Sequence, residues 1–429
     1  MQPFRVAIAG LGTVGAETAR ILLTDTEMLS ARAGRPIELK AVSARDKTRD
    51  RGVDLDGVDW VDDAATLAAR NDVDCVLELI GGSEGVAHDL VLDSVKSGKS
   101  VVTANKALIA HHGSEIAKAC EENKVGLGFE AAVAGGIPII KSLREGLVGN
   151  HVTRVYGILN GTCNYIMSVM RETGRPFDDV LADAQRLGYA EADPSFDVDG
   201  IDAAHKLAIL SAIAFGHHVD FDNVHVEGVR HVSPLDITFA EELGYRIKLL
   251  GIAEESDAGV QQRVHPCMVK ADTPIGQVED VFNAVVAEGS AVGTTLSYGR
   301  GAGAGPTASA VIADVMDLAA GRRVPVFGLD SSKLSPARTA PIASLTGCYY
   351  LRLMVIDRPG VLADVTAVFR DHEVSIEAMI QRARNPEEAV PLVLTTHETS
   401  ETAIKASFEE LARLDCVLEE PRQIRIEDF

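Results

Sequence analysis

The chain has 429 residues, a formal charge of −22 from 41 Lys and Arg against 63 Asp and Glu, and 46% hydrophobic residues. That apolar share fills several cores, so a disordered or collagenous chain is excluded, and the length predicts two to four domains. Net negative charge without a Lys/Arg run argues against nucleic acid or an anionic membrane surface as partner and leaves small molecules.

No apolar run reaches the roughly 18 residues of a membrane span. The start, Met1 to Gly15, lacks the charged head and cleavage site of a secretory signal. A cytoplasmic protein is expected. Six cysteines, Cys75, Cys120, Cys163, Cys267, Cys348 and Cys416, show no C-x-x-C pair, which suggests neither a zinc cage nor a disulfide framework.

In chain order, β-rich runs at Phe4–Ala9, Ile37–Ser43, Cys75–Ile80, Ser100–Thr103 and Gly126–Glu130 alternate with helical stretches such as Gly15–Leu23, His88–Ser97 and Ser114–Glu122. This is the pattern of a parallel sheet in an α/β fold. Gly10-Leu-Gly12-Thr13-Val14-Gly15 follows the first run and opens a helix, the context of a dinucleotide turn. Gly10 permits the tight turn, Gly12 lets the backbone approach a pyrophosphate, and Gly15 lets helix and strand pack closely. After the second run, Ser43 and Arg45 stand where an NAD site would usually place an acid, and a guanidinium suits a 2′-phosphate, so NADP is favoured over NAD; Asp46 is adjacent, and Arg45 as a solvated loop charge is the competing reading.

Lys106 follows the fourth run at the edge where open α/β sheets bind ligands, and a positive charge there opposes the helix dipole, which points to function. Farther on, Val152–Leu159 reads as a strand, and Asn164–Arg171, Phe177–Leu187 and Ile201–Phe215 as helices, the last apolar nearly all round and therefore interior. Five acids between Glu191 and Asp202 precede it, with spacing unlike a calcium loop. Asp202 and Lys206 are i and i+4 on one face: burial favours the neutral amine and the carboxylate opposes it, a balance suited to proton transfer. A buried ion pair that merely orders the helix is the alternative. Cys163 as an acylating thiolate lacks a nearby histidine. The adjacent pairs His111-His112 and His217-His218 would point apart on a helix, make poor chelates and read as surface residues.

A Gly-rich break, Tyr298 to Pro306, leads to a helical stretch over Ala308–Ala320, then a Ser/Pro/Lys/Arg-rich linker at Ser331–Ile342. The tail reads strand (Tyr349–Ile356), helix (Val361–Asp371), strands (Val374–Gln381, Val390–Thr396), helix (Glu401–Leu411) and strand (Cys416–Ile424), a βαββαβ ferredoxin-like order.

GLGTVG, TANKAL, FEAAVAGGIPII, GILNGTCNYI, GYAEADPSFDVDGIDAAHKLAIL and YGRGAGAGPTASAV, in this order over residues 4 to 330, closely resemble homoserine dehydrogenase; residues 349–429 resemble its C-terminal ACT domain. The resemblance implies a Rossmann-type domain over 1–135 rejoined by 305–328, an α+β substrate and dimerisation domain over 136–304, a linker over 329–345 and a regulatory domain over 346–429. It also implies reversible NAD(P)H-dependent reduction of L-aspartate 4-semialdehyde to L-homoserine in a homodimer or homotetramer. On the matching positions, Lys206 would transfer the proton with Lys106 beside it, Glu191 and Asp202 would bind substrate, and Gly188 and Gly303 would join Gly10, Gly12, Thr13, Val14, Gly15, Arg45 and Lys106 at the cofactor. Glu130, Val133, Gly135 and Ile137 would offer carbonyls to sodium, and threonine would act at Asp357-Arg-Pro-Gly360. The rivals are another NAD(P)-dependent dehydrogenase of a small amino acid or aldehyde, and a non-catalytic sensor of a dinucleotide and an amino acid.

Overall fold

The computed structural model describes residues 2–382 and 389–429. Strands β1 (Phe4–Ala9), β2 (Ile37–Ser43), β3 (Asp59–Val61), β4 (Cys75–Glu78), β5 (Ser100–Thr103) and β6 (Leu127–Gly128) form one sheet in the order β3-β2-β1-β4-β5-β6. All its pairs are parallel, so every strand presents its carboxyl end to the same edge. Helices α1 (Thr13–Thr24), α2 (Thr26–Ala33), α3 (Val86–Lys96) and α4 (Lys106–Asn123) make the crossovers. β1 is buried on both faces, as the run of apolar residues after Arg5 requires.

The second body is built on an eleven-stranded sheet. After the short helix α5 (Ile139–Lys141) come β7 (Val152–Ile158), α6 (Gly161–Thr173), α7 (Phe177–Arg186), α8 (Ser195–Val198), α9 (Ile201–Phe215), β8 (His225–Val226) and α10 (Pro234–Glu242). Four long strands follow: β9 (Tyr245–Ser256), β10 (Gly259–Lys270), β11 (Phe282–Gly289) and β12 (Gly293–Arg300). Helix α11 (Ala304–Ala319) then returns to the first sheet, where Val311, Ile312 and Val315 share a core with Val6, Ile8 and Leu22.

The tail carries β13 (Thr346–Ile356), α12 (Val361–Asp371), β14 (Ile376–Ile380), β15 (Ala389–Thr396), β16 (Thr399–Ser400), α13 (Glu401–Leu411) and β17 (Arg422–Ile426). Its last strand begins at Arg422, six residues beyond Cys416, because Pro421 ends an irregular stretch before pairing begins. β17 pairs in parallel with β10, so the sheet runs without a break as β12-β11-β7-β9-β10-β17-β13-β15-β14. Residues 331–345 are not a free tether: Val260 N–H donates to Arg338 O (2.7 Å) and Ala340 N–H to Val260 O (2.9 Å), which lays the segment along β10.

Candidate active site

The turn from β1 into α1 has the geometry its glycines demand. Gly10 sits at φ +100°, and a Cβ there would lie 2.4 Å from Leu79 O. One at Gly15 would lie 1.9 Å from Gly10 O, whereas one at Gly12 would meet nothing within 4 Å. Gly12 is the N-cap of α1 and supplies no side-chain cap, so the first N–H groups, from Thr13 and Val14 onward, face the open side of the turn and can take a phosphate. Past β2, Arg45 is exposed without a side-chain partner among the described residues. The Asp46 carboxylate instead accepts from Thr48 N–H (2.8 Å) and hydroxyl (2.7 Å).

At the same sheet edge a buried network missed by sequence reasoning holds the next loops. Glu78, at the end of β4, accepts from Ile80 N–H (2.8 Å), Gly81 N–H (3.1 Å) and the Thr103 hydroxyl (2.6 Å). Thr103 accepts from Asn105 N–H, and Asn105 caps α4 through Leu108 N–H while donating to Gly82 O (2.6 Å). Lys106 is therefore fixed as the first residue of α4.

Lys106 meets the second body here. Its Nζ lies 2.9 Å from Asp202 Oδ1, and Lys206 Nζ lies 2.7 Å from Asp202 Oδ2. Lys206 also donates to Leu159 O (2.7 Å) at the end of β7, which leaves one of its three N–H donors uncommitted. Asn160, the N-cap of α6, donates 2.8 Å bonds to both Asp202 and Asp197. Lys206 is 9% and Asp202 3% exposed. Burial opposes ionisation of Asp202, but the two ammonium groups and their hydrogen bonds outweigh it and hold the carboxyl well below its usual range. Burial likewise opposes charge on Lys106, and Asp202, Asp197 and Glu191 together raise its pKa. Asp197 goes the other way: burial, then the neighbouring Asp202 charge, raise it.

Lys106, Asp202 and Lys206 are thus in direct contact, joined by Asn160, Asp197 and the Leu159 carbonyl, which lie inside the GILNGTCNYI and GYAEADPSFDVDGIDAAHKLAIL motifs but to which sequence reasoning assigned no role. Glu191 is exposed with no side-chain partner among the described residues, near enough for its charge to act on Lys106. Gly188 (φ +77°) and Gly303 (φ +113°, N-cap of α11) are exposed turn positions that favour glycine. Burial pushes the Cys163 thiol far up, so it is no nucleophile. Of the histidine pairs, His217 is buried, its Nε2 3.0 Å from the Ser211 hydroxyl, which corrects the expectation of a surface residue: the segment after α9 folds back under Ser335.

The segment Glu130–Ile137 is buried except at Gly136, with Ala134 at φ +51°. The carbonyls of Val133 and Gly135 accept no hydrogen bond among the described residues, while those of Glu130 and Ile137 accept one each, from Val133 and Ile139. Buried carbonyls with unused lone pairs suit a hard cation. The Glu130 side chain itself is committed to Ile140 N–H (2.8 Å) and Lys141 N–H (2.9 Å).

A glycine turn opening a helix at the carboxyl edge of a parallel sheet, with two ammonium groups meeting on one carboxylate at that same edge, defines a nicotinamide-dinucleotide oxidoreductase. Residues 138–316 match the family described as Homoserine dehydrogenase, residues 10–130 its NAD binding domain, and residues 349–416 the ACT domain. The chain is 45% identical to homoserine dehydrogenase of Pseudomonas aeruginosa over 436 residues and 44% identical to that of Neisseria gonorrhoeae over 435, with all of each chain covered. It is similar to a solved homoserine dehydrogenase from Thiobacillus denitrificans, at TM-score 0.94 and 45% identity over 100% of this chain and 99% of that one. A hyperthermophilic archaeal homoserine dehydrogenase in complex with NADPH matches at TM-score 0.63 and 26% identity over 74% and 97%. The chain belongs to the homoserine dehydrogenase family.

Proposed function

We propose that the chain interconverts L-aspartate 4-semialdehyde and L-homoserine with NADPH as the preferred coenzyme, and that Lys206 moves the proton. The observation that carries this is the Lys106–Asp202–Lys206 contact at the edge beyond Gly10–Gly15. The nicotinamide, when bound, supplies hydride transfer to the aldehyde carbon. Negative charge then grows on the C4 oxygen, and the uncommitted N–H of the Lys206 ammonium donates its proton there; in the oxidation direction the neutral amine takes the hydroxyl proton. Leu159 O and Asp202 hold Nζ in place, and Lys106 adds positive charge. Glu191 and Asp202 give the substrate ammonium an anionic wall. Gly12, Thr13, Val14 and Gly15 would hold the pyrophosphate, Arg45 the 2′-phosphate, and Gly188 and Gly303 the far side. The absence of an acid at Ser43, and the engagement of Asp46 with Thr48, support NADP over NAD.

Sodium at the carbonyls of Glu130, Val133, Gly135 and Ile137 would brace this segment against the Gly301 turn, whose carbonyl lies 2.8 Å from where a Gly135 Cβ would be. Threonine would act at Asp357–Gly360, where Asp357 Oδ2 is buried without a partner among the described residues and Gly360 opens α12 at φ +100°. A cytoplasmic setting accords with six free thiols. No helix among the described residues is long and apolar enough to cross a membrane. A homodimer or homotetramer accords with the edge strand β12, which exposes Leu296 and Tyr298. The deciding experiment is NADPH oxidation at 340 nm with aspartate semialdehyde, repeated with NADH and with threonine. Absorbance loss that depends on the semialdehyde, favours NADPH and is inhibited by threonine is expected; no such loss rejects the reaction.

A further inference from the structure

Adjacent histidines diverge on a helix, yet the fold brings His112 a different partner. His88 on α3 lies beside it, ring centroids 4.4 Å apart. Glu115, one turn further along α4, serves both: its Oε2 is 3.7 Å from His88 Nε2 and 3.8 Å from His112 Nδ1. The three ligand atoms lie within 4.8 Å of one another. The far nitrogen of each ring faces another carboxylate, His112 Nε2 at 2.8 Å from Glu84 Oε1 and His88 Nδ1 at 3.4 Å from Asp89 Oδ1. A carboxylate on the far nitrogen fixes the proton there and turns the other lone pair inward, the arrangement that orients imidazole ligands of metals. His88 Nε2 is buried with no hydrogen-bond partner among the described residues, a state that is unfavourable when nothing satisfies it.

We propose that His88 Nε2, His112 Nδ1 and Glu115 Oε2 form a site for a divalent transition-metal ion of the zinc type, clamping α3 to α4. Ligands about 2.0–2.2 Å from a tetrahedral ion stand about 3.3–3.6 Å apart, and the Glu115 side chain, 58% exposed, is free to shorten its 3.7 and 3.8 Å contacts by those few tenths of an ångström, while the two imidazole nitrogens, within 4.8 Å of each other, draw together on the ion. Water completes the shell from the solvent side. Two imidazoles with one carboxylate favour zinc over magnesium or calcium, which prefer oxygen throughout. The charge fits as well: among the described residues Glu84, Asp89 and Glu115 pair with these histidines alone. The other grouping of this kind among the described residues, His265, Cys267 and Glu427, has Arg263 3.1 Å from Glu427, a guanidinium that already occupies the cation's place.

The clamp would sit between helices whose first turns border the site, α3 after the Gly81–Gly85 turn and α4 at Lys106. It is independent of the substrate and coenzyme reading. The test uses the tag-free full-length chain, stripped with chelator and titrated with zinc by calorimetry and with cobalt by visible absorbance. One ion per chain is expected with Kd below about 10 µM, or about −7 kcal/mol. His112→Gln and Glu115→Gln should each weaken it by roughly 100-fold and Glu84→Gln by about 10-fold, whereas the exposed His231→Gln leaves it unchanged. Millimolar magnesium should not compete. No saturable binding, or wild-type affinity in both His112→Gln and Glu115→Gln with their metal-free melting temperatures intact, overturns the site.

Discussion

Lys206 is held at the end of a short chain of contacts, and each link has a distinct consequence when cut. Replacing Lys206 with Ala removes the proposed proton carrier but leaves the Gly10–Gly15 turn untouched, so kcat should fall about 10²–10⁴-fold while NADPH fluorescence titration gives a Kd close to wild type. Normal kcat would reject its role. Glu130 makes a second prediction. Burial and then the neighbouring Asp314 charge raise its carboxyl to about 7, against the pull of the Lys141 and Ile140 N–H groups. In the unfolded chain the same group ionises near 4.5, so between these values the native state holds a proton the unfolded state has lost. Stability from this group is therefore complete at low pH, falls as pH rises through the window and levels off above 7, a loss on the order of 3 kcal/mol. Urea unfolding at pH 5 and pH 8 in sodium-free buffer should show that loss in the wild type and most of it missing in Glu130→Gln. The i, i+4 spacing of Asp202 and Lys206 was readable because a helix imposes it, but Asn160 and the Leu159 carbonyl come from more than 40 residues away and leave no periodic trace.

The β1–α1 unit was readable for a related reason: its glycine constraints are spaced within six residues, although the Leu79 carbonyl that crowds Gly10 comes from beyond β4. They also separate cleanly. Gly12→Ala places a methyl group in open space and should melt within about 0.5 kcal/mol of wild type, a typical surface effect, while KM for the coenzyme rises roughly tenfold or more, about 1.4 kcal/mol. Gly15→Ala puts the methyl group 1.9 Å from Gly10 O and should lower the melting temperature as well. Equal behaviour of the two in both assays would contradict the turn geometry. Strands β9 to β12 carried no such local mark. β10, Gly-Val-Gln-Gln-Arg-Val-His-Pro-Cys-Met-Val-Lys, reads as polar, yet Gln262, Arg263 and His265 are buried. Arg263 is tolerated there because Glu427, 164 residues later, lies against it, a partner that no window of neighbouring residues contains.

That pairing belongs to a larger junction. Arg425 of β17 is bound by both Glu227 (2.9 Å) and Glu401 (2.5 Å), Arg352 of β13 by Asp236 (2.6 Å), and Phe429 stacks on Tyr156 at 3.8 Å. The C-terminal module is thus welded to the second body rather than hung from it. Removing residues 346–429 should abolish the proposed threonine inhibition, and it should also lower the melting temperature by at least about 5 °C, because Cys267 and Met268 of β10 lose their partners on β17 and Asp236 and Glu227 lose their cations. Inhibition curves together with calorimetric melts check both, and an unchanged melt would refute the weld. The order of βα units, the dinucleotide turn, the apolar helix with its paired Asp and Lys and the βαββαβ tail all follow from interactions between residues close in the chain, where periodicity and steric limits leave marks in composition. Which body each long strand joins, where α11 returns, how His88 finds His112 and why Lys106 meets Asp202 depend on contacts between distant segments. Those contacts arise only when separate apolar faces are buried together, and the free energy of that burial is nearly indifferent to the distance along the chain.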